Sequence, residues 1–242
     1  MNASSIKSGR YAAVVHRVVR ESPSVVTLYF EQPSGFRYIA GQYITVFFDE
    51  TGILEGKAYS LSSHPDDLDL SITVKKVGLF SGKLHDMQAG DILQISPAYG
   101  MFNAFGDAPL VALAAGVGIA PIYSIIRYEV MRGSGRPIQL IYTNTTDEEI
   151  VFHDELDRLT QYANELRIQY IVTRQPESDY FGARVKGAEI VRDFPDRMVC
   201  ICGTVDFVRD LRRQLVTAGL PEDAIMTEVF FETKGVGIWA SE

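Results

Sequence analysis

Residues 109–126 read PLVALAAGVGIAPIYSII, the longest apolar run in the chain. A membrane-spanning helix needs about 20 such residues, so the run raises that question first. Two glycines, Gly116 and Gly118, and a central Pro121 argue against it. A buried strand, a tight turn and a buried helix fit the same letters and pair their backbone groups without lipid. An apolar strand without polar alternation is buried on both faces, the setting of a parallel sheet covered by helices. No membrane association is therefore expected.

The rhythm of the chain changes near this run. From Tyr11 to about Phe102 the pattern is short and period-two, in YAAVVHRVV, VVTLYFEQ, YITVFF, KAYSLSS, LDLSITVKKV and DILQIS, separated by turn signals such as PSG, DETG and HPDD. Short alternating strands of this kind predict a small antiparallel barrel or sandwich. SGKLHDM is the one helical insertion, with Ser81 as N-cap. Beyond Phe105 strands and helices alternate: LVALAA, PIYSIIRYEVMRG, IQLIYTN, DEEIVFHDELDRLTQYA, IQYIVTR, AEIVRDF, MVCICG, VDFVRDLRRQLVTAG and MTEVFF. That alternation predicts an α/β domain on a parallel sheet. The chain thus divides into a flexible arm over 1–10, an antiparallel barrel or sandwich over 11–105, and an α/β domain with a C-terminal extension over 106–242.

Composition narrows the classes of function. With 242 residues, 46% of them apolar, the chain can bury a sizeable core. Its 31 acidic and 23 basic residues, net charge −8, are spread along the sequence, and no basic stripe marks a nucleic-acid surface. Cys200 and Cys202 are the only cysteines. They are too few and too close for a disulfide framework, a structural zinc site or an iron–sulfur cluster, so any such cluster belongs to another chain. The start, MNASSIKSGR, lacks the apolar core of a signal peptide. A cytoplasmic protein, monomeric or weakly dimeric, is expected.

Three stretches carry chemistry. AAGVGIAP follows a strand of the parallel half, where loop amides and helix N-termini receive phosphates. It lacks the last glycine of a G-x-G-x-x-G fingerprint and has Pro121, suited to a first helical turn. Gly116 and Gly118 would permit unusual backbone angles and close approach of a pyrophosphate; a tight turn with no ligand accounts for the stretch equally well. KAYSLSS offers the Lys57 cation, the Tyr59 ring and the Ser60 hydroxyl to a flat polar ligand, although a plain barrel strand would read the same. TVKKVGLFSGKL joins a strand to a glycine-flanked helix start, where amides at Gly78, Ser81, Gly82 and Lys83 would receive an anion or simply cap the helix.

The order K-A-Y-S, V-K-K-V-G-x-x-S-G-x-L, S-P-x-Y-G-x-F, A-A-G-V-G-I-A-P, I-C-G and E-x-F resembles the ferredoxin–NADP reductase family of flavoproteins, from Tyr11 to Phe230. The resemblance implies a flavin-binding antiparallel barrel followed by a nicotinamide-nucleotide domain, with the ligands meeting between them. It implies Tyr59 beside the isoalloxazine, Ser60 near its reactive nitrogen, backbone contacts from Val74 and Lys75, and a phosphate-binding helix start at Ser81 and Gly82. FAD is favoured over FMN. Lys57 stands where the family usually has arginine, which keeps the charge and loses the bidentate fork. Gly116, Gly118 and Pro121 would lie under the nucleotide pyrophosphate, and Cys202 and Gly203 near the nicotinamide, with Thr204 replacing the family's proline. Glu228 matches a carboxylate near both rings; a strand-edge acid facing water is the plain alternative. Thr173 and Arg174, with Arg184, resemble the group that receives a 2′-phosphate, which favours NADPH over NADH, while Thr145 stands where many relatives have arginine. An aromatic of the tail, Trp239, or Phe230 and Phe231, would cover the flavin as in some relatives; a tail packed on the surface is the equal alternative.

The implied activity is hydride transfer from NAD(P)H to FAD, then single-electron transfer to a ferredoxin, a flavodoxin or an oxygenase component. An NAD(P)H:flavin reductase releasing reduced flavin, and a non-catalytic electron-transfer subunit, are the alternatives.

Overall fold

The computed structural model describes residues 9–48, 56–103 and 106–230. The period-two half forms β1 (Tyr11–Ser22), β2 (Val25–Glu31), β3 (Tyr43–Phe47), β4 (Lys57–Ser60), β5 (Asp69–Lys75) and β6 (Ile92–Ile95). They make one sheet, ordered β4-β3-β6-β1-β2-β5, with every neighbour antiparallel. Alternation sets the core: Leu70, Ile72 and Val74 of β5 point inwards with Leu28, Phe30, Ile44 and Leu93. Register shifts along β1, between Val15 and Arg17 and between Arg20 and Ser22, bend the strand. The end strands meet just beyond Ser60, where Leu61 bridges Ile72 and the Ser62 N–H donates to Ser71 O at 2.9 Å. The sheet thus curls round until its two ends touch. Of the expected N-terminal arm, residues 1–8 lie outside the described residues, and Arg10 sits over the Phe47 ring at 3.6 Å.

Helix α1 (Leu79–Asp86) starts three residues earlier than its sequence signal. Ser81 is not the N-cap: Gly78 holds that place and Ser81 is the third helical residue. The Ser81 hydroxyl turns back, accepting from the Val77 N–H (2.9 Å) and the Gly78 N–H (3.0 Å) and donating to Gly78 O (3.1 Å). It is the reciprocal half of a capping box, with no side chain at the cap itself.

The second half forms β7 (Leu110–Ala115), α2 (Ile119–Met131), β8 (Ile138–Asn144), α3 (His153–Tyr162), β9 (Leu166–Val172), α4 (Gly187–Asp193), β10 (Met198–Thr204), α5 (Val205–Thr217) and β11 (Ile225–Phe230). The sheet is parallel throughout, ordered β11-β10-β7-β8-β9. Both faces of β7 are buried: Leu110, Ala112 and Ala114 pack with α2 and α3, Val111 and Leu113 with α4 and α5. Among the described residues no helix is long and apolar enough to cross a membrane.

One expected helix is broken. The stretch from Asp147 begins with a 3-10 turn over Asp147–Glu149, and α3 starts only at His153. Ile150, Val151 and Phe152 lie between, all buried, and the left-handed backbone at Phe152 interrupts the helix. Phe152 takes a left-handed φ of 61° and stacks on Tyr123 with ring centroids 4.2 Å apart. Burial of its ring offsets the backbone strain.

Replacing Ser81 by alanine leaves the Val77 and Gly78 amides without their acceptor. The substitution is expected to cost about 1 kcal/mol, read as a lowered denaturant midpoint at unchanged slope; an unchanged midpoint would show that the hydroxyl contributes nothing.

Candidate functional site

Chain order fixes where the cleft opens. From β7 the chain moves outward through β8 to β9, then returns to place β10 on the other side of β7. Connections on the two sides diverge, leaving a crevice at the carboxyl ends of β7 and β10 where helix N-termini and loop amides point outward. The 3-10 turn Gly116–Gly118 follows β7 there, and Cys202-Gly203 closes β10. The two glycines differ in role. Gly116 has φ +52° and open space where a side chain would be, the backbone freedom and access that a phosphate loop needs. Gly118 has an ordinary φ of −59°. A Cβ there would lie 2.6 Å from the Cys202 carbonyl carbon and 2.8 Å from Gly203 Cα. Gly118 is therefore a packing glycine and not a point of phosphate approach. Pro121 sits buried in the first turn of α2, where an N–H has no helical partner.

Against this crevice stands the end of β4. The Ser60 hydroxyl donates to Glu228 Oε1 of β11, a hydrogen bond between the two domains. Glu228 pairs in register with Cys202, which pairs in turn with Ala114. Ser60, Glu228, Cys202 and the Gly116 turn, far apart in sequence, thus share one corner. Burial pushes the Glu228 carboxyl up to about 7, with the Ser60 hydrogen bond pulling the other way. Burial, then the neighbouring Glu228, raises the Cys202 thiol well above its ordinary range, and burial lifts Cys200 to about 12. The corner holds a carboxyl able to keep or lose a proton near neutrality beside a thiol that stays protonated.

The barrel side is set by β4, β5 and α1. Tyr59 stacks on Phe80 of α1 (6.2 Å), and burial raises its hydroxyl pKa. Lys57, half-buried, starts the same strand opposite Val46. The Val74 side chain is inside the barrel, and its carbonyl is within hydrogen-bond distance of His85 Nε2 (2.9 Å), a histidine held below its usual pKa by burial. Lys75 sends its ammonium to Glu149 of the second domain (3.1 Å). At the start of α1 fewer amides are available than the glycines imply. The Gly78 N–H goes to Ser81 and the Gly82 N–H to Gly78 O (2.8 Å), while Lys83 lies past the first turn. Of the four expected donors, that leaves the Ser81 amide.

A cavity of about 470 Å³ lies to one side, lined by Thr143, Arg184, Lys186 and one face of α5. Arg209 and Arg213 of α5 reach it, each paired with the aspartate three residues before it. Arg184 and Lys186 are exposed there, and Arg174 is exposed at the end of β9. Thr173 does not fit the role of phosphate donor: its hydroxyl donates to Asn144 O (3.1 Å), which leaves only lone pairs for an anion. Sequence reasoning missed Lys186, Arg209 and Arg213; the signal available was the four-residue spacing of the two arginines on one helix face. Phe230 ends β11 beside Thr204 and packs against the apolar cluster of the second domain, whereas Phe231 and Trp239 lie outside the described residues. Among the described residues no cluster of histidine, cysteine or carboxylate is fit to hold a metal.

Comparison with known proteins matches both halves. Residues 12–104 fit the oxidoreductase FAD-binding domain and residues 112–213 the oxidoreductase NAD-binding domain. Flavohemoprotein A of Dictyostelium discoideum is 28% identical over 90% of this chain and 59% of its own length. The 3-ketosteroid-9-alpha-monooxygenase ferredoxin reductase component of Mycobacterium tuberculosis is 31% identical over 89% of this chain and 64% of its own. The chain thus spans about three fifths of the length of these relatives. Among solved structures, a ferredoxin NADP+ reductase from Neisseria gonorrhoeae with bound FAD and NADP superposes with a TM-score of 0.80, at 25% identity, over 93% of this chain and all of that one.

The raised Glu228 carboxyl has a consequence for stability. The folded chain keeps this proton up to about pH 7, whereas an unfolded glutamate releases it near 4.5. The folded state therefore binds more protons between those values, and stability is full below about 4.5 and falls as pH rises towards 7. Glu228→Gln removes that fall. Its stability relative to the unsubstituted protein is expected to rise by up to about 3 kcal/mol between pH 4.5 and 7.5, measured by denaturant unfolding. A difference independent of pH would show that the carboxyl is not raised.

Proposed function

The chain belongs to the ferredoxin–NADP reductase-like family of FAD- and NAD(P)-binding oxidoreductases, and on that premise we propose that it takes a hydride from NADPH onto FAD and passes the electrons singly to a separate protein acceptor. The observation that carries this reading is the Ser60–Glu228 hydrogen bond across the crevice, beside Cys202 and the Gly116 turn. It brings the end of the flavin-domain strand and the carboxyl ends of the nucleotide-domain strands to one point, where two flat rings can be held in contact.

The residues present fit these ligands: the crevice is open in front of Gly116, and a polar corner stands at its floor. FAD, when bound, supplies the change from two-electron to one-electron chemistry, and the chain supplies orientation, proton control and exclusion of water. In this reading Tyr59 packs beside the flavin ring and Lys57 neutralises a phosphate. Val74 and Lys75 contribute backbone, and Ser81 and Gly82 form the start of α1 that faces the flavin phosphates. Ser60 and Glu228 hold a proton next to the reacting centre, with Cys202 and Gly203 shaping the nicotinamide site as neutral neighbours. Gly116 admits the nucleotide pyrophosphate. Arg174 and Arg184, joined by Lys186, receive a 2′-phosphate, because Arg184 and Lys186 present positive charge to the cavity while the α5 arginines are already paired. A ferredoxin, a flavodoxin or an oxygenase component is the acceptor in this proposal, supported by the ferredoxin reductase component among the relatives.

One observation favours a second reading. The Gly78 and Gly82 amides are already bonded within the turn, and Lys57 lacks an arginine's fork, so the flavin phosphates lose those contacts. A flavin reductase that releases its product would need that looser grip.

Anaerobic mixing with NADPH and NADH, followed by flavin absorbance, tests the proposal. Bleaching of stoichiometric bound FAD, faster with NADPH, is expected. Arg184→Ala is expected to raise KM for NADPH about tenfold and to leave that for NADH unchanged, as loss of one charge-assisted phosphate contact. Protein that purifies without flavin yet reduces added flavin supports the second reading, and flavin-loaded protein bleached by neither nucleotide overturns hydride transfer.

A further inference from the structure

The two domains also meet at a second group of contacts, away from the Ser60–Glu228 corner. Two of the interdomain bonds depend on a single segment of the barrel, residues 60–67. Ser60 reaches Glu228, and Asp67 accepts both arms of Arg127 from α2, at 2.5 and 2.9 Å. Bonds that share one segment restrain rotation about it only weakly, and the apolar contacts of Val25, Ala40 and Phe102 with the second domain are not directional. Glu149 engages a different part of the barrel. Its Oε1 accepts from the Ser24 hydroxyl (2.9 Å), in the turn between β1 and β2, and its Oε2 accepts from Lys75 Nζ (3.1 Å), at the end of β5. Both charged side chains are about two thirds or more buried, with 33% of Lys75 and 22% of Glu149 exposed.

Glu149 is itself fixed to the nucleotide turn. The next buried residue but one, Val151, donates its N–H to the Tyr142 hydroxyl (3.2 Å), and that hydroxyl donates to Gly116 O (3.1 Å). Tyr142 is fully buried, so its ring cannot follow one partner and leave the other. Asp147, at the start of the same 3-10 turn, is held in turn by Gln175 and Ser178. A continuous path of bonds therefore runs from the end of β5 through Lys75, Glu149, Val151 and Tyr142 to Gly116.

We propose that Glu149 is a positioning residue that sets the nucleotide turn at Gly116 in register with β5 of the flavin domain. It touches neither reacting centre. Its two directional bonds, added to the apolar contacts of Val25, Ala40 and Phe102, restrain rotation of the domains and so narrow the separation across which hydride passes. The inference rests on the hydride-transfer reading, because a fixed separation matters to a step that is steep in distance.

The test uses the full chain with spin labels on cysteines introduced at the exposed Glu31 of the barrel and Thr217 of α5; native Cys200 and Cys202 are fully buried. Pulsed electron resonance is expected to give one narrow distance distribution in the otherwise native chain and a broadened or shifted one in Glu149→Ala. In the unlabelled variant, flavin reduction at saturating NADPH is expected to slow about tenfold with FAD content and KM unchanged. Ser24→Ala, which removes one bond and keeps the ion pair, is expected to move both readouts the same way by less. The charge-swapped pair Lys75→Glu with Glu149→Lys is expected to restore the narrow distribution. An unchanged distribution in Glu149→Ala overturns the proposal, as does a changed distribution with an unchanged rate. If the native chain is reduced by neither nucleotide, the hydride-transfer reading fails instead, while the distance measurement still decides whether Glu149 sets the seam.

Discussion

The reversal of strand order between β7 and β10 is the constraint on which the rest of this molecule depends. A parallel sheet buried on both faces has no side chain to spare for a ligand along its length, so chemistry is confined to its carboxyl edge. The reversal opens that edge at one place. Gly116, Gly118 and Cys202-Gly203 gather there because they lie at the carboxyl ends of the adjacent strands β7 and β10. Gly118 allows the turn after β7 to press against the backbone after Cys202, which makes the floor of the crevice a close-packed surface.

The barrel completes the site through a seam that combines apolar packing with directional polar bonds. Inside the barrel, Thr27, Thr73, Ser62 and Ser71 form an unbroken series of hydroxyl bonds at 2.8–3.0 Å, and across the seam the Ser124 hydroxyl of α2 donates to Ser63 O at 2.5 Å. Hydroxyls can donate and accept at once, so such a series buries several polar groups without leaving one unpaired. Directional bonds also fix an orientation in a way that apolar contact does not. Val25, Ala40 and Phe102 of the first domain join the apolar cluster of the second and supply area, while the Arg127–Asp67 and Glu149–Lys75 pairs add directional bonds between the domains.

Much of the fold was legible because it rests on local period. Period-two alternation located the six barrel strands, and buried apolar runs located β7, β8 and β10. Capping chemistry was less legible: the Ser81 signal was real, but its hydroxyl serves from the third helical position. Local pattern failed at Ile150–Phe152, where stacking of Phe152 on Tyr123 outweighed helix propensity. The candidate site was legible as a set of motifs in order, not as a geometry. Thr173 read as a phosphate donor because its hydroxyl was known and its partner, Asn144 O, was not. Glu149 was invisible as anything but one acid among three, since Ser24 and Lys75 lie 125 and 74 residues away.

By itself the sequence determined that there would be an antiparallel half and a parallel half, that no cluster of cysteines would carry electrons, and that a glycine-rich turn would follow the first buried strand. These follow from spacing and residue type, which act over a few residues. The tertiary structure decided which glycine faces the crevice and which is packed, which hydroxyls remain to donate, and that Glu228 meets Ser60 in a place dry enough to move its proton affinity towards neutrality. Those outcomes depend on burial and on partners distant in the chain, and neither is a property of any short stretch of sequence.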